Sequence, residues 1–309
     1  MTSPVLWPAG PAAESIAVIG WALFVGGAVI FAGVMLLLVR SLQRRATPRR
    51  VRPALWLVGG GVVFPAVVLS ALLGWSLALG VRLAEPAPPG AMVVSVTGHM
   101  WWWEVRYRDP ASGADVVLAN ELRLPVGRQV VVGLNSADVI HSFWVPALAG
   151  KVDAVPGRVA QLVLNASVAG VFRAPCAEYC GQQHARMALH VVAQPQAEFD
   201  AWLAAQARPA AEPLTEPQRA GRQAFVALRC GACHTVRGVS QSAGPAAPDL
   251  THVGSRLHLG AGTLANGAGA LVAWVAGVQH LKPGAHMPSF DALDAPTLQA
   301  LGAYLGHLQ

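Results

Sequence analysis

Two long apolar runs near the N-terminus constrain the fold more than any other feature of this chain. Residues 16–39 and 54–81 contain no charged side chain. As helices they would each span at least roughly 36 Å, at about 1.5 Å per residue, which is enough to cross the apolar core of a bilayer. We therefore predict two transmembrane helices, the second kinked at Pro65, within a membrane anchor that covers residues 1–85.

Two other interpretations of these runs are weaker. Buried core helices are seldom free of charge over such a length. A secretory signal peptide needs a basic region before its apolar stretch, and no Lys or Arg precedes residue 40. The segment between the runs is rich in arginine: Arg40, Arg44, Arg45, Arg49, Arg50 and Arg52. A short loop this basic is expected to stay in the cytoplasm, which places both termini on the outer face of the membrane.

The charge balance follows from this loop. The six arginines account for the net charge of +6, and only 12% of the residues are charged while 54% are hydrophobic. Outside the membrane the balance is nearly even, with eight Lys or Arg against seven Asp or Glu in residues 86–195, and six against four in residues 215–309. Neither part has a basic stripe with interleaved aromatic residues, so we expect no nucleic-acid partner.

The residues after the apolar runs predict two soluble domains. Beyond the proline-rich joint EPAPPG, residues 86–195 contain short β-branched runs separated by turn residues, a pattern typical of an antiparallel sandwich or barrel. Residues 196–214 read as a short helix that continues into an Ala/Pro-rich, semi-rigid linker. Residues 215–309 have helical apolar spacing, which predicts an all-α domain.

The segment CAEYCGQQHARM brings two cysteines, a histidine and a methionine into twelve residues, at Cys176, Cys180, His184 and Met187. Thiolate, imidazole and thioether together are the soft donor set that selects copper. His141, in VIHSFWVP, is the candidate for one more histidine from an earlier strand. A disulfide between the cysteines is the default alternative for a pair on the outer face of a membrane.

The second cysteine indicates two metal ions rather than one. A single blue copper site uses one thiolate, whereas two thiolates can bridge two copper ions, each with one histidine and one weak axial ligand. Sharing an electron over such a pair limits the change in geometry on reduction, so we predict a binuclear copper centre. A structural zinc site is the alternative, and it would give the methionine no role. Its four ligands would be Cys176, Cys180, His184 and His141.

The segment CGACH at residues 230–234 is the Cys-x-x-Cys-His motif that attaches c-type haem. Cys230 and Cys233 would form the thioether bonds, and His234 would be the proximal iron ligand. Met287, in AHMPSF, is the predicted distal ligand. Met and His both serve as axial ligands, so His286 and His280 remain alternatives.

These motifs resemble one known family. HSFWVPALAGKVDAVPG and CAEYCGQQHARM look like the copper-binding subunit II of haem-copper cytochrome c oxidases, and PDLTHVGSR looks like the cytochrome domain fused to some of its members. The resemblance implies two transmembrane helices, a cupredoxin-like barrel and a class I cytochrome c domain. It also implies the CuA ligands, namely His141, Cys176, Cys180, His184, Met187 and the backbone carbonyl of Glu178, whose carboxylate would face a magnesium site at the border with subunit I.

The segment GHMWWWEV resembles the aromatic patch through which electrons reach the copper in that family, usually GHQWYW. Trp101 matches the tryptophan that receives the electron, while Met100 and Trp102 depart from the pattern. We interpret Trp102 and Trp103 as barrel or interface aromatics. The acidic residue that many members carry near the second span has no counterpart within it, and Glu85 receives no role.

Together the motifs predict subunit II of a proton-translocating, caa-type cytochrome c oxidase in a bacterial inner membrane, with its soluble domains on the periplasmic face. Its partners would be subunits I and III and, as donor, a cytochrome c or an upstream respiratory complex. Three rivals fit less well. Nitrous oxide reductase needs a histidine-rich propeller, quinol oxidase subunit II lacks the thiolates, and a zinc-anchored module leaves CGACH without a purpose.

Overall fold

The computed structural model describes residues 6–43, 52–84, 86–242 and 247–309. The described residues between 12 and 86 form one compact unit, and those between 6 and 11 and between 87 and 309 form the other. The first unit contains helix α1 (Pro11–Gln43), a π-helical stretch (Leu55–Val63) and helix α2 (Phe64–Leu83). Five residues discussed above lie outside the described ranges: Arg44, Arg45, Arg49, Arg50 and Glu85.

Both predicted apolar runs are helical, and the first helix extends beyond residues 16–39 at both ends. The segments Pro11–Gln43 and Leu55–Leu83 have hydropathies of 2.7 and 2.2, and none of the residues in their most apolar stretches is buried. An apolar surface exposed on all sides is expected of helices that face lipid, and it excludes the alternative of core helices. The change from π to α geometry falls at Pro65, which has no N–H to donate within the helix.

Ten strands form the first soluble domain. Their bounds are β1 Met92–His99, β2 Trp102–Arg108, β3 Asp115–Ala119, β4 Glu121–Pro125, β5 Val130–Ser136, β6 His141–Trp144, β7 Lys151–Ala154, β8 Ala160–Leu164, β9 Gly170–Pro175 and β10 Ala188–Gln194. One sheet has the order β3-β2-β1-β5-β8, a second has the order β4-β10-β9, and β6 pairs with β7. The predicted all-β, cupredoxin-like domain is confirmed, but the expectation of a purely antiparallel arrangement is wrong, because β1 pairs with β5 and β4 with β10 in parallel.

The barrel core follows from alternation along the strands. In β5 every second residue is buried, and Val130, Val132 and Leu134 are fully inaccessible to solvent. Helix α3 (Gln196–Gln206) then packs on the barrel, burying Phe199 and Leu203. The predicted linker therefore begins as a packed helix rather than a free spacer.

The second soluble domain is helical, as predicted. It contains α4 (Glu216–Ala227), α5 (Ala268–Leu281) and α6 (Ala295–His307). Two strands of two residues each, β11 (His258–Leu259) and β12 (Leu264–Ala265), pair with each other before α5. Thr215 begins α4 with a capping box. Where α4 crosses α6, Gly221 lies so close to the backbone that a Cβ atom there would meet the Ala300 carbonyl oxygen at 2.0 Å.

The residues after α3 contact the helical domain. The Ala210 amide donates to the Arg237 carbonyl at 3.0 Å, and His307 Nε2 lies 2.9 Å from the Glu212 carbonyl oxygen. Ring nitrogen Nε2 of His252 lies 3.0 Å from the Arg208 carbonyl oxygen. These contacts hold the connecting segment against the second domain, so the two soluble domains are parts of one compact unit.

Candidate metal and electron-transfer sites

The segment from Cys176 to Met187 is a closed loop between β9 and β10. The Cys176 amide donates to the Met187 carbonyl at 2.9 Å, which fixes the two ends of the loop next to each other. The Ala177 amide donates to the Ser142 carbonyl at 3.0 Å and ties the loop to β6. His141 is the first residue of β6 and is fully buried. Residues far apart in the sequence therefore meet at one end of the barrel.

Two thiols lie at the centre of this loop. The sulfur atoms of Cys176 and Cys180 are 3.8 Å apart, and both cysteines are free. A disulfide bond would require a separation of about 2.05 Å. The disulfide alternative is therefore excluded.

Each sulfur has its own imidazole. Nδ1 of His141 lies 3.9 Å from the Cys176 sulfur, and Nδ1 of His184 lies 3.6 Å from the Cys180 sulfur. Cys176, Cys180 and His141 are buried, and their possible ligand atoms all lie within 4.8 Å of one another. These three side chains could hold a metal ion.

Each sulfur also has one weaker donor at hand. The carbonyl oxygen of Glu178 lies 3.3 Å from the Cys176 sulfur, and the sulfur of Met187 lies 3.8 Å from the Cys180 sulfur. The six donors are thus the two thiols, two imidazoles and two weaker ligands that lie around them. Such a soft set fits copper, whereas a four-coordinate zinc ion would use only the thiols and imidazoles.

The two thiols affect each other's protonation. Their sulfur atoms lie at hydrogen-bond distance, and this pairing lowers the pKa of Cys176 and raises the pKa of Cys180. Cys176 is therefore the thiol that more readily supplies the deprotonated sulfur that metals bind.

Asp138 orients His141, a role that the sequence analysis missed. Its Oδ1 lies 2.8 Å from Nε2 of His141, so Nδ1 is left to face the thiols. Burial lowers the pKa of His141, but hydrogen bonds with Cys176 and Asp138 outweigh it and raise the pKa overall. A carboxylate on the outer ring nitrogen is the usual support for a metal-ligating histidine. The sequence signal for this role is the position of Asp138 three residues before His141, in the segment DVIH.

The CGACH motif lines a cavity of about 360 Å³ in the second soluble domain, a size typical of cofactor sites. Cys230, Cys233, His234 and Met287 all contribute to its wall. Nδ1 of His234 lies 2.8 Å from the Pro248 carbonyl oxygen, which leaves Nε2 for an iron atom. Burial lowers the pKa of His234 and so favours the neutral, ligating form.

The loop that carries Met287 is fixed by Gln279. The Gln279 side-chain amide donates to the Met287 carbonyl at 2.6 Å and to the Ala285 carbonyl at 2.7 Å. His286 also lines the cavity, whereas His280 lines a different cleft.

The residues of this cavity fit a haem. The wall is mainly apolar, but it includes the cationic side chain of Arg256. The Nε atom of Arg256 is buried and has no hydrogen-bond partner among the described residues. A buried guanidinium with an unused donor suits an anionic group such as a haem propionate.

Trp101 lies between the two sites. Its indole Nε1 donates to the Cys180 carbonyl at 2.7 Å, and its ring also lines the cavity that contains CGACH. Of the neighbouring tryptophans, Trp102 also lines this cavity and stacks on His99 with ring centroids 4.4 Å apart, whereas Trp103 is buried in the barrel.

The Glu178 carboxylate has a cationic neighbour. Its Oε2 lies 3.6 Å from Nζ of Lys151, which also lies 3.5 Å from Asp153. The three charged groups form a partly exposed cluster that includes Glu178 of the loop that carries the two thiols.

Comparison with known proteins finds a family for each of the two soluble domains. The family described as "Cytochrome C oxidase subunit II, periplasmic domain" matches residues 111–194, and the family "Cytochrome c" matches residues 218–309. Subunit 2 of the cytochrome c oxidase of Alkalihalophilus pseudofirmus is 39% identical over 216 residues, which are 70% of this chain and 61% of that protein. The chain thus spans about three fifths of the length of this relative.

Two further similarities cover less of the chain. Cytochrome c oxidase subunit 2 of Branchiostoma floridae is 35% identical over 187 residues, which are 54% of this chain and 79% of that protein. The crystal structure of the periplasmic domain of a Bradyrhizobium japonicum cytochrome oxidase subunit II covers 40% of this chain and 97% of that domain, with 29% identity and a TM-score of 0.36.

The fold and sites define a membrane-anchored electron-transfer protein with its soluble unit on the outer face of the membrane. Its barrel is the domain that carries CuA copper in such proteins, and its helical domain is the one that carries haem c. The chain belongs to the cytochrome c oxidase subunit II family, with a cytochrome c domain following the barrel.

Proposed function

We propose that this chain is the electron-input subunit of a proton-translocating, caa-type cytochrome c oxidase. It would accept electrons at a covalently bound haem c, transfer them to a binuclear CuA centre and deliver them to haem a of subunit I, where oxygen is reduced to water. The observation that carries the proposal is the position of Trp101, which lines the CGACH cavity and donates directly to the Cys180 carbonyl.

The proposed copper ligands are the six donors around the thiol pair. Bound copper would supply a one-electron carrier whose charge is spread over two ions. The chain holds its own donors rigidly, since the loop is closed at Cys176 and Met187 and His141 is fixed by Asp138. Such preorganised ligands would change little on electron transfer. The proposed ligands are His141, Cys176, Glu178 through its carbonyl, Cys180, His184 and Met187.

The proposed haem attachment uses Cys230 and Cys233, with His234 and Met287 as the axial ligands. Haem c would supply a second one-electron carrier. The Pro248 carbonyl keeps the imidazole of His234 in the required tautomer. Gln279 holds the loop that carries Met287 in place.

Trp101 would be the conduit between the two carriers. Its ring packs against Gly181 of the copper loop, where an added Cβ would meet the indole at 3.2 Å. The Trp101 ring is hydrogen-bonded to the proposed copper ligand Cys180 on one side and borders the haem cavity on the other. It would therefore give electrons a short route from haem to copper. No diffusing cytochrome c would then be needed between haem and copper.

The proposed partners are subunits I and III. The proposed location is a bacterial inner membrane, with the soluble unit in the periplasm. The two apolar helices would pack on subunit I. The Glu178 carboxylate would face magnesium at this border, in exchange for its contact with Lys151. The physiological donor would be a cytochrome c or an upstream respiratory complex.

An optical spectrum of the purified complex tests the proposal. We expect the bands of a covalently bound haem c, which survive denaturation, together with a near-infrared band from binuclear copper. The same preparation should consume oxygen when reductant is supplied through the haem. A protein with haem bands and one zinc ion in place of copper would overturn the assignment.

A further inference from the structure

A buried lysine lies between the two soluble domains. Lys282 caps the C-terminus of α5 and is only 4% exposed. The chain has one other lysine, Lys151, whose side chain is 48% exposed. Burial of an ammonium group is costly unless its hydrogen-bonding capacity is satisfied. The position of Lys282 therefore calls for a specific explanation.

All three ammonium hydrogens of Lys282 have acceptors. Nζ donates to the carbonyls of Trp101 at 2.8 Å and Arg186 at 2.9 Å, both in the barrel, and to the Gly260 carbonyl at 2.8 Å in the helical domain. No carboxylate lies within ion-pair distance of it in the described part of the chain. Three carbonyl dipoles from two domains thus hold one cation.

The residues around Lys282 are bound to the copper loop as well. Gln183 donates from its side-chain amide to the Pro283 carbonyl at 2.7 Å, and Arg186 donates to the Leu281 carbonyl at 2.6 Å. Gly284 follows with a φ of 81°, and a Cβ atom there would lie 2.5 Å from Oε1 of Gln182 and 3.7 Å from the Trp101 ring. Residues 281–284 thus form a docking segment that is hydrogen-bonded to the barrel and closely packed on it.

We propose that Lys282 is a positioning residue that locks the cytochrome domain onto the copper loop, with Trp101 held between the two electron-transfer sites. The inference rests on the proposed function and adds to it: the domain transfers electrons from a fixed docked position and not as a tethered, moving donor. The bond to the Trp101 backbone carries the argument, because it joins the docking segment to the proposed conduit itself.

Selective acetylation of lysines tests the docked state directly. The intact complex is treated with an amine-reactive acetylating reagent, and the modification of each lysine is followed by peptide mass spectrometry. We expect Lys151 to react at least about tenfold faster than Lys282, since a buried group reacts only through local opening. Equal rates at the two lysines would overturn the proposal, because the domain would then leave the barrel freely.

Electron transfer between haem and copper supplies the second readout. In Lys282→Met we expect the rate of electron transfer from haem to copper, measured after flash reduction of the haem, to fall at least about tenfold. Removal of hydrogen bonds from a charged donor is expected to have an effect of this size. The rate should also become dependent on solvent viscosity, because the domain must dock before each transfer. Lys282→Arg keeps the charge and several donors, so it should recover part of the rate.

The control is Arg219→Met, which removes one positive charge from an exposed position of the same domain. It should leave both the rate and its viscosity dependence unchanged. Loss of the haem or copper spectrum in the wild-type complex would instead contradict the proposed function. Normal spectra with a wild-type rate in Lys282→Met would refute the positioning role alone.

Discussion

The carboxylate of Asp138 should control how tightly the copper loop holds its metal. It accepts from three donors: Nε2 of His141 at 2.8 Å and the amide of Val139 at 2.6 Å on Oδ1, and the amide of Met100 at 2.7 Å on Oδ2. In Asp138→Asn only one oxygen remains, and the new NH₂ group faces either His141 or the Met100 amide, both of which are donors. At least one hydrogen bond is therefore lost whichever way the amide turns, and any bond that Nε2 of His141 keeps is made to a neutral acceptor instead of a charged one.

The magnitude follows from this geometry. Loss of a hydrogen bond to a charged acceptor costs about 1.5–3 kcal/mol. Because the Asp138 side chain is 25% exposed, we take the lower end of that range. A value of about 1.4 kcal/mol corresponds to a tenfold change in affinity, so Asp138→Asn should weaken copper binding about tenfold or somewhat more.

Competition with a copper chelator measures the change. The purified complex is titrated with chelator, and the copper retained is followed by metal analysis and by the delocalised two-copper resonance signal. Asp115→Asn is the matched control, because Asp115 is a half-exposed acid of the same barrel that pairs with Arg108. If Asp138→Asn retains copper as well as the control, the orientation of His141 does not depend on this carboxylate.

Three further predictions concern the individual sites. Cys180→Ser should abolish the binuclear copper signal rather than halve the copper content, while the haem remains; a surviving two-copper signal would mean that the thiolates do not bridge. Met287→His should lower the haem potential, since a thioether favours the reduced iron, and an unchanged potential would assign the ligand elsewhere. His190 stacks on His258 with ring centroids 3.9 Å apart, and burial lowers the pKa of His190 from 6.5 to about 4. Because the pKa of His190 is lowered in the folded protein, its contribution to stability is fully present above pH 6.5 and is lost as the pH falls toward 4. The melting temperature of His190→Phe should therefore depend less on pH over that range.

The copper and haem motifs can be recognised in the sequence because their residues are local. Cys176, Cys180 and Met187 lie in one twelve-residue loop, whose ends are joined by the backbone hydrogen bond from Cys176 to Met187. The haem cysteines and His234 are adjacent in the same way. Short spacings leave few possible geometries, and the donor types then select the metal.

The contact between the domains could not be predicted in this way. The Ala/Pro-rich composition after residue 203 indicates a spacer, yet the structure holds this segment against the helical domain through backbone carbonyls such as that of Arg237. Lys282 likewise binds three carbonyls, and every residue has a carbonyl, so its partners leave no trace in the sequence. The position of Trp101 between the sites follows from this docking.

Deletion of the cytochrome domain tests the central claim most directly. An oxidase complex whose subunit II lacks residues 215–309 is compared with the intact complex, and oxygen uptake is measured with an ordinary soluble cytochrome c over a range of concentrations and ionic strengths. The copper domain has no acidic excess to attract a basic cytochrome, with eight basic against seven acidic side chains in residues 86–195. We therefore expect the truncated complex to keep its copper signal but turn over far more slowly, whereas haem-to-copper transfer in the intact complex should be independent of concentration and nearly independent of salt. Full turnover by the truncated complex with soluble cytochrome c would contradict the claim that the fused domain is the immediate donor to copper.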